Sequence, residues 1–192
     1  DLSKLTQRSL RRQVGVVLQE AFLFTDTVMN NLKYAREGTT DEEAIAAAKK
    51  ANAHDFIMAL PQGYDTLLTE RGANLSQGQR QMITIARAMV ADPKMLILDE
   101  ATSNVDTRTE KLIQGGMRNL MEGKTSFSIA HRLATIRDSS RNMVVNGGEI
   151  EEMASHDELM AARGFYYALY KSQFKGKAPA GAEASSVDFV ST

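Results

Sequence analysis

Two adjacent carboxylates follow a short apolar run in the middle of the chain. The stretch MLILDE covers residues 95–100 and ends in Asp99 and Glu100. A carboxylate at the end of a buried strand suits hydrated Mg²⁺, which takes one or two carboxylates together with phosphate oxygens. The second carboxylate can act as a general base toward a water that attacks a phosphoryl group. The alternative is that the pair only begins a solvated loop, and the four apolar residues before it keep both interpretations open.

A second suggestive stretch, NLSQGQRQ, covers residues 74–81. Ser76 is a favourable N-cap, and the free backbone N–H groups and dipole of a helix N-terminus make an anion site. Gly78 has no Cβ and lets a second backbone approach closely. Capped helices with a nearby glycine also occur without any ligand, so this stretch alone does not distinguish an anion site from an ordinary helix start.

Two more polar residues directly follow predicted strands. Gln19 comes after the β-branched run of residues 14–18, and His131 comes after residues 125–130. In open α/β sheets, ligands gather at the carboxyl ends of the strands, where Asp99 and Glu100 are also predicted to lie. We therefore expect these residues to converge. A lone histidine is more often structural, and the predicted place of His131 beside the Asp99 strand is what favours a phosphate contact.

Strand and helix patterns alternate along the chain. The predicted strands are residues 14–18, 95–98, 125–130, 142–145 and 149–152. The predicted helices begin near residue 41, cover 54–60, run from Ser76 to Pro93, cover 107–121, lie around 134–138 and begin after Ser155. Residues 175–192 have the composition of a flexible tail. The alternation predicts an α/β fold with a mostly parallel sheet.

Composition limits the class of protein. The 192 residues include 23 Lys and Arg, 24 Asp and Glu, and no cysteine. The near-neutral charge gives no general attraction to nucleic acid, and the lack of cysteine excludes disulfides and thiolate metal sites. No apolar run approaches the roughly 18 residues that a membrane span needs. The chain begins with Asp1 rather than Met, and we expect it to be part of a longer polypeptide.

Other candidate motifs are weaker. The tripeptide GKT at residues 123–125 is no phosphate loop, because GxxxxGK[ST] requires glycine where Arg118 stands, and we predict a turn into a strand there. Three scattered histidines without paired spacing do not make a metal site. The remaining basic and histidine residues are predicted to be surface or helix-start residues: Arg8, Arg11, Arg12, His54 and His156.

Taken in order, these segments resemble the nucleotide-binding domain of ABC transporters, particularly the exporter type whose membrane-spanning and ATPase parts share one polypeptide. VLQEAFLF is similar to the Q-loop, LSQGQ to the signature motif, and MLILDE to the Walker B strand with its catalytic glutamate. SNVD is similar to the D-loop and AHR to the H-loop. The resemblance covers about residues 1–174 and depends on five motifs in the right order.

The resemblance implies a P-loop NTPase-like core with an α-helical signature subdomain, and with the N-terminal strands missing. It implies the following division: 1–24, part of the catalytic core with the Q-loop; 25–90, the helical subdomain; 91–174, the catalytic core with the Walker B, D-loop and H-loop motifs; and 175–192, the tail.

The resemblance also implies roles for the residues around this chain's own ATP. Asp99 would hold Mg²⁺ through water, and Gln19 would touch the metal or the water. Glu100 would be the general base for the attacking water. His131 would contact the γ-phosphate.

A second set of residues would act on a neighbouring subunit. Ser76, Gly78 and Gln79 would reach across a head-to-tail dimer of nucleotide-binding domains and close on the ATP of the partner. Asp106 would help to couple the two sites. The other implied partner is the transmembrane domain of the same transporter, which places the chain at the cytoplasmic face of the cell membrane.

Three features depart from the family pattern. Gln77 replaces the first glycine of the commoner LSGGQ form, and Ala154 stands where the family usually has glycine. The third departure is that the phosphate loop, Walker A, has no counterpart in the sequence. We therefore expect the chain alone to bind ATP poorly and to be inactive as an ATPase, although the complete protein would be one.

The function that follows from the resemblance is ATP-driven export, of the multidrug or lipid type. The alternatives are a soluble ABC ATPase of DNA repair or translation, and a non-catalytic interaction module. Repair enzymes carry long coiled-coil or basic inserts, which the sequence does not show. The intact Glu100 and His131 argue against a module that has lost catalysis.

Overall fold

The computed structural model describes residues 4–100, 105–130, 137, 139–175 and 189–191. Within these residues the α-helices are α1 Gln7–Gln13, α2 Val28–Lys33, α3 Asp41–Lys50, α4 His54–Met58, α5 Gln77–Ala91, α6 Thr107–Met121, α7 His156–Ala162 and α8 Phe165–Lys175. The strands are β1 Val14–Val17, β2 Met95–Glu100, β3 Thr125–Ala130, β4 Asn142–Asn146, β5 Glu149–Ala154 and β6 Phe189–Ser191. None of the described helices is long and apolar enough to cross a lipid bilayer.

The chain divides into two compact units. The first comprises Asp1–Leu96 and Thr102–Thr125, and the second comprises Ile97–Ala101 and Ser126–Thr192. The division passes through β2 and β3, so both strands belong in part to each unit. The predicted boundaries at residues 24, 90 and 174 fall elsewhere, and the functional division remains a prediction.

Helix α5 is the central helix of the first unit. It packs against α2, α3, α6 and β1. The sequence predicts one apolar face made of Met82, Ile85, Ala86 and Met89. The first three are buried and Met89 is partly buried, and two further residues, Ile83 and Val90, are also buried. Burying a large apolar side chain is worth about 1.5–3 kcal/mol, so this helix contributes a large share of the stability of the unit.

Both ends of α5 lie where the sequence predicts them. The Ser76 hydroxyl accepts from the Gln79 amide at 3.3 Å, and the Gln79 side chain accepts from the Ser76 amide at 2.9 Å. This reciprocal capping box fixes the first turn. The helix ends at Asp92, whose backbone is left-handed, immediately before Pro93. Proline cannot continue the hydrogen bonds of the helix, which explains the stop.

Helix α6 follows the predicted range from residue 107 to 121. Asp106 is its N-cap, and Ile113 and Leu120 are buried in the first unit. The start of α6 packs closely against the start of α5. A Cβ on Gly78 would overlap the Thr109 methyl carbon and would lie 3.3 Å from Val105 Cγ1. The glycine is therefore needed for the contact between the two helices.

The strands are less buried than their apolar sequences predict. In β1 only Val17 is fully buried, and Val16 is 50% exposed. In β2, Leu96 and Leu98 are fully buried, whereas Ile97 is 38% exposed. This alternation arises because successive side chains of a strand point to opposite faces of the sheet, and only one face is closely covered. The apolar sequences of these two strands therefore do not lead to burial of both faces.

The second unit contains an antiparallel hairpin of β4 and β5. Its turn uses Gly147 and Gly148, whose φ angles of 58° and 86° are readily adopted by glycine. Helix α7 begins directly after Ser155, as predicted, and Ser155 and Glu158 form a capping box at its start. The apolar cluster here is centred on Tyr166, which is fully buried. The other buried members of this cluster are Val144 and Leu159.

The strands of the second unit follow the order β2-β3-β6-β4-β5. Strand β6 lies inside the predicted tail and pairs antiparallel to both β3 and β4. The predicted helix near residues 134–138 falls almost entirely outside the described residues. The GKT segment forms a turn into β3, as predicted. Helix α4 ends at Met58, two residues before the predicted end.

The contact between α5 and α6 leads to a prediction on stability. Gly78→Ala should lower the free energy of unfolding by about 1–3 kcal/mol, because the added Cβ meets the Thr109 methyl group in a packed contact. Adding Thr109→Ser removes that methyl group and should restore part of the loss. Urea unfolding of the two single variants and the double variant measures both effects. Additive losses in the double variant would contradict the proposed steric cause.

Candidate functional site

The N-terminus of α5 is the clearest candidate for anion binding. Ser76 is exposed, whereas the body of the helix beyond it is buried. A helix of fifteen residues carries partial positive charge at its N-terminus, where backbone N–H groups point outward. The capping box holds the Ser76 hydroxyl and the Gln79 side chain in place. A phosphate group of another molecule therefore has a fixed, positively polarised surface to approach.

Asp106 lies at the start of the neighbouring helix in the first unit. Its carboxylate accepts hydrogen bonds from the amides of Arg108 and Thr109, both at 3.0 Å. The hydroxyl and amide of Thr109 hold the pKa of Asp106 below its ordinary value. Because Thr109 also packs on Gly78, the structure brings the start of α6 and the start of α5 together. Asp106 therefore has a structural role as well as its predicted coupling role.

Gln19 is exposed and follows the end of β1 by two residues. The chain after it enters the first unit, where Leu23 is almost fully buried. Gln19, Ser76, Gly78, Gln79 and Asp106 thus all belong to the first unit.

The carboxylate pair belongs to the second unit. Asp99 and Glu100 are the last two residues of β2 rather than the beginning of a loop, and the Asp99 side chain is half-buried. The side chain of Glu100 lies outside the described part of the structure. Strand β3 lies beside β2 in the sheet and ends at Ala130. His131, the next residue, is outside the described residues, so its role stays a prediction.

Carboxylate oxygen is the ligand type that Mg²⁺ prefers, and the position of Asp99 at a strand end fits a metal held through water. Among the described residues, no group of three or more acidic or histidine side chains forms a ready metal cage. A single carboxylate with water and phosphate oxygens is the usual arrangement for Mg²⁺, so the donor chemistry is consistent with metal that arrives with a nucleotide.

Two residues that the sequence did not single out hold the segment after Gln19. Arg87 of α5 and the buried Asn31 of α2 bind the backbone of Phe22 and Phe24. No sequence pattern indicates this contact, because Arg87 and Asn31 are 56 residues apart and each is an ordinary polar residue on a helix. The other histidines have structural partners: His54 contacts Tyr64 at 2.9 Å and His156 contacts Tyr166 at 2.7 Å.

Comparison with known proteins gives a consistent result. The family model of the ABC transporter matches residues 1–103. An ABC transporter ATP-binding protein of Bacillus subtilis, YfiC, is 55% identical over 175 residues. That alignment covers 91% of this chain and 29% of the relative. An ATP-dependent lipid A-core flippase of Syntrophus aciditrophicus is 50% identical over 175 residues, with the same coverage of 91% and 29%.

A fatty acid ABC transporter ATP-binding/permease protein of Mycobacterium bovis is 47% identical over 172 residues, which cover 90% of this chain and 27% of the relative. The fold is similar to that of a bacterial Atm1-family ABC exporter with ATP bound, with a TM-score of 0.83 and 44% identity. That match covers 95% of this chain and 31% of the exporter chain, and it confirms the predicted α/β class.

The chain thus spans less than a third of the length of these relatives. The family model covers more than half of the chain, from residue 1 to 103 of 192. The chain therefore belongs to the ABC transporter family, and it matches the ATP-binding part of exporter-type members.

Proposed function

We propose that the chain is part of the ATP-binding and ATP-hydrolysing domain of an exporter, in which ATP binding closes a dimer of such domains and hydrolysis reopens it. The observation that carries this proposal is the exposed, rigidly capped start of α5 at Ser76, in a chain whose β2 ends in Asp99 and Glu100. The first feature suits the phosphates of a nucleotide, and the second suits the metal and the attacking water.

The chain's own nucleotide is served by the residues at the strand ends. As the resemblance to the family implies, Asp99 would hold Mg²⁺ through water, and Gln19 would contact the metal or its water. Glu100 takes the proton of the attacking water as general base. His131 donates a hydrogen bond to the γ-phosphate. The chemistry that Mg²⁺ would supply here is neutralisation of charge on the phosphate oxygens.

The start of α5 serves the nucleotide of a second domain, arranged head to tail. Ser76 and Gln79 present the anion-binding end of the helix, and Gly78 allows this end to pack tightly on α6. Asp106, at the start of α6, couples the two sites because movement of either helix start is transmitted through this contact. The exposure of Ser76, next to the buried body of α5, supports a role toward another molecule.

The transmembrane domain of the same transporter is the second proposed partner. Val16, Leu18 and Phe22 are 50–57% exposed on both sides of Gln19 along the chain. They line a groove of about 300 Å³ in the first unit. Exposed apolar side chains of this kind mark interaction sites. Docking of a cytoplasmic segment of the membrane domain here places the chain at the cytoplasmic face of the membrane.

Our proposal for the cargo class is supported by the relatives and not by residues of this chain. One relative is a lipid A-core flippase and another is a fatty acid transporter. These names favour a lipid-type cargo over drugs. No observation in the described residues favours a soluble ATPase of DNA repair or translation.

The first test concerns ATP binding. The 192 residues contain no GxxxxGK[ST] motif, whose backbone N–H groups and lysine cradle the phosphates of a nucleotide. We expect titration of the chain with a fluorescent ATP analogue to show a Kd no tighter than about 1 mM. A longer polypeptide that adds the upstream phosphate loop should bind in the micromolar range, and replacing the lysine of that loop should abolish the gain. Micromolar binding by the 192 residues alone would contradict this assignment.

The second test concerns the general base. In the complete protein, Glu100→Gln should lower ATP turnover by about 10²–10⁴-fold, because the amide cannot accept the proton of the attacking water. ATP binding should remain close to wild type. Glu149→Gln, on the exposed β4–β5 hairpin, is the matched control and should leave turnover unchanged. Normal turnover in the Glu100 variant would remove that residue from the proposed role.

The third test separates the two roles of Asp106. Asparagine is as good an N-cap as aspartate, so Asp106→Asn should keep the unfolding midpoint at neutral pH, whereas Asp106→Ala should lower it. Folding lowers the pKa of Asp106, so its ionised carboxylate stabilises the folded state fully above its ordinary pKa of 3.8. This stabilisation is lost as the pH falls through the lower pKa of the folded state. ATP turnover of the complete protein should fall in Asp106→Asn if the charge couples the sites. Wild-type turnover would limit Asp106 to capping.

A further inference from the structure

The guanidinium of Arg87 is held by oxygen atoms of two separate segments. Its Nε donates to the Asn31 carbonyl at 2.9 Å, and one terminal nitrogen donates to the Asn31 side-chain oxygen at 2.6 Å. The other terminal nitrogen donates to the Phe22 carbonyl at 2.8 Å. The Arg87 carbon Cζ also lies 5.3 Å from the centre of the Phe24 ring. These four contacts belong to one side chain, which bridges α2 and the segment after Gln19.

The environment of Arg87 is unusual for a cation. Burial lowers the pKa of Arg87 below its ordinary value. Within the described residues no carboxylate forms a salt bridge with it. Taking an unpaired charge out of water is unfavourable. An apolar side chain of similar size would fill this space without that penalty, but it could not bind the two backbone segments.

Asn31 completes the contact. It is 1% exposed, and its side-chain oxygen also accepts from the Phe24 amide at 2.9 Å. Its side-chain nitrogen donates to the carbonyls of Phe24 and Thr27, both at 3.0 Å. Asn31 therefore closes the loop between residues 24 and 27, and Arg87 fixes Asn31 itself. We call these two side chains together the Asn31–Arg87 clamp.

The clamp connects two parts of the candidate site. Phe22 comes three residues after Gln19, and Arg87 lies eleven residues after Ser76. Eleven residues of α-helix span about 16 Å, and a packed helix of this length behaves as a rigid rod. The exposed loop at Gln19 and the exposed helix start at Ser76 are therefore attached to the same rod.

We propose that Arg87 is a positioning residue that makes the loop after Gln19 and the start of α5 move as one body. A change at Gln19, where this chain's own nucleotide is sensed, then displaces Ser76, which contacts the nucleotide of the second domain. This inference rests on the proposed function. Lysine cannot replace arginine, because only the planar fork of the guanidinium binds two carbonyl groups and a side-chain oxygen in fixed directions.

The first experiment uses no nucleotide. It tests whether Arg87 keeps the loop after Gln19 at a fixed distance from the start of α5. The chain contains no cysteine, so Glu20→Cys and Ala73→Cys give two unique positions for spin labels, both of them exposed. Electron paramagnetic resonance should give a narrow distance distribution between the labels. Arg87→Lys should broaden this distribution at least about twofold, since the lysine ammonium is a point charge on a flexible stem. Arg118→Lys, on the exposed side of α6, is the matched control and should leave the width unchanged.

The same samples show whether a change of width only reflects lost stability. Circular dichroism and the unfolding midpoint are measured for both variants. A broadened distribution in Arg87→Lys with wild-type helix content supports the proposal. Equal widths in the Arg87 and Arg118 variants would overturn it, and so would broadening only in samples that have lost helix content.

The second experiment uses the complete transporter. Arg87→Lys should lower the amount of cargo moved per ATP hydrolysed at least about tenfold, and the KM for ATP should stay within about twofold of wild type. A purely structural role would instead lower transport and turnover in proportion to the amount of folded protein, and that outcome would contradict the proposal.

These two experiments separate the inference from the function on which it rests. If the complete protein hydrolysed no ATP, the proposed function would fail, but the distances between the spin labels would still test the clamp. If ATP were hydrolysed and transport per ATP were unchanged in Arg87→Lys, the clamp proposal would fail and the proposed function would stand.

Discussion

The structure of the first unit depends on the burial of α5. This helix must pack against α2, α3, α6 and β1 along its length, and its first turn must remain exposed. Apolar burial fixes the body of the helix, while the capping box of Ser76 and Gln79 satisfies the first turn without any other element of the chain. The exposed turn can therefore contact another molecule without any loss of core packing. The proposed function uses this separation between a buried rod and a free end.

Three contacts hold neighbouring segments of the chain against α5. Gly78 allows the start of α6 to lie against the start of α5, and Asp106 holds that start of α6 in place. At the other end, Arg87 holds the loop that follows Gln19. Each contact joins a candidate site residue to its neighbour through packing or hydrogen bonds. Changes at one site residue can consequently be passed on through the same elements that stabilise the fold.

Local chemistry explains which features the sequence could predict. The bounds of α5 and α6 follow from Ser76, Asp106 and Pro93, because capping residues and proline act within one turn of the helix end. Gln19, Ser76 and Asp99 stood out because they lie near strand ends or at a helix start. Gln79 and Asp106 were identified only through the resemblance to the family. The Asn31–Arg87 clamp could not be predicted, since it joins residues 56 positions apart. The exposed face of the strands was missed for the same reason, because coverage depends on distant elements.

The central claim is that the exposed start of α5 acts on the nucleotide of the neighbouring subunit. It is tested most directly in a complete transporter made of two distinguishable subunits, by combining Glu100→Gln with Ser76→Arg. If each site uses Glu100 of one subunit and Ser76 of the other, placing the two changes in opposite subunits leaves one site intact and ATP turnover remains. Placing both in one subunit should damage both sites and abolish turnover. The reverse order of activities would show that Ser76 serves its own subunit's nucleotide, and would contradict the account.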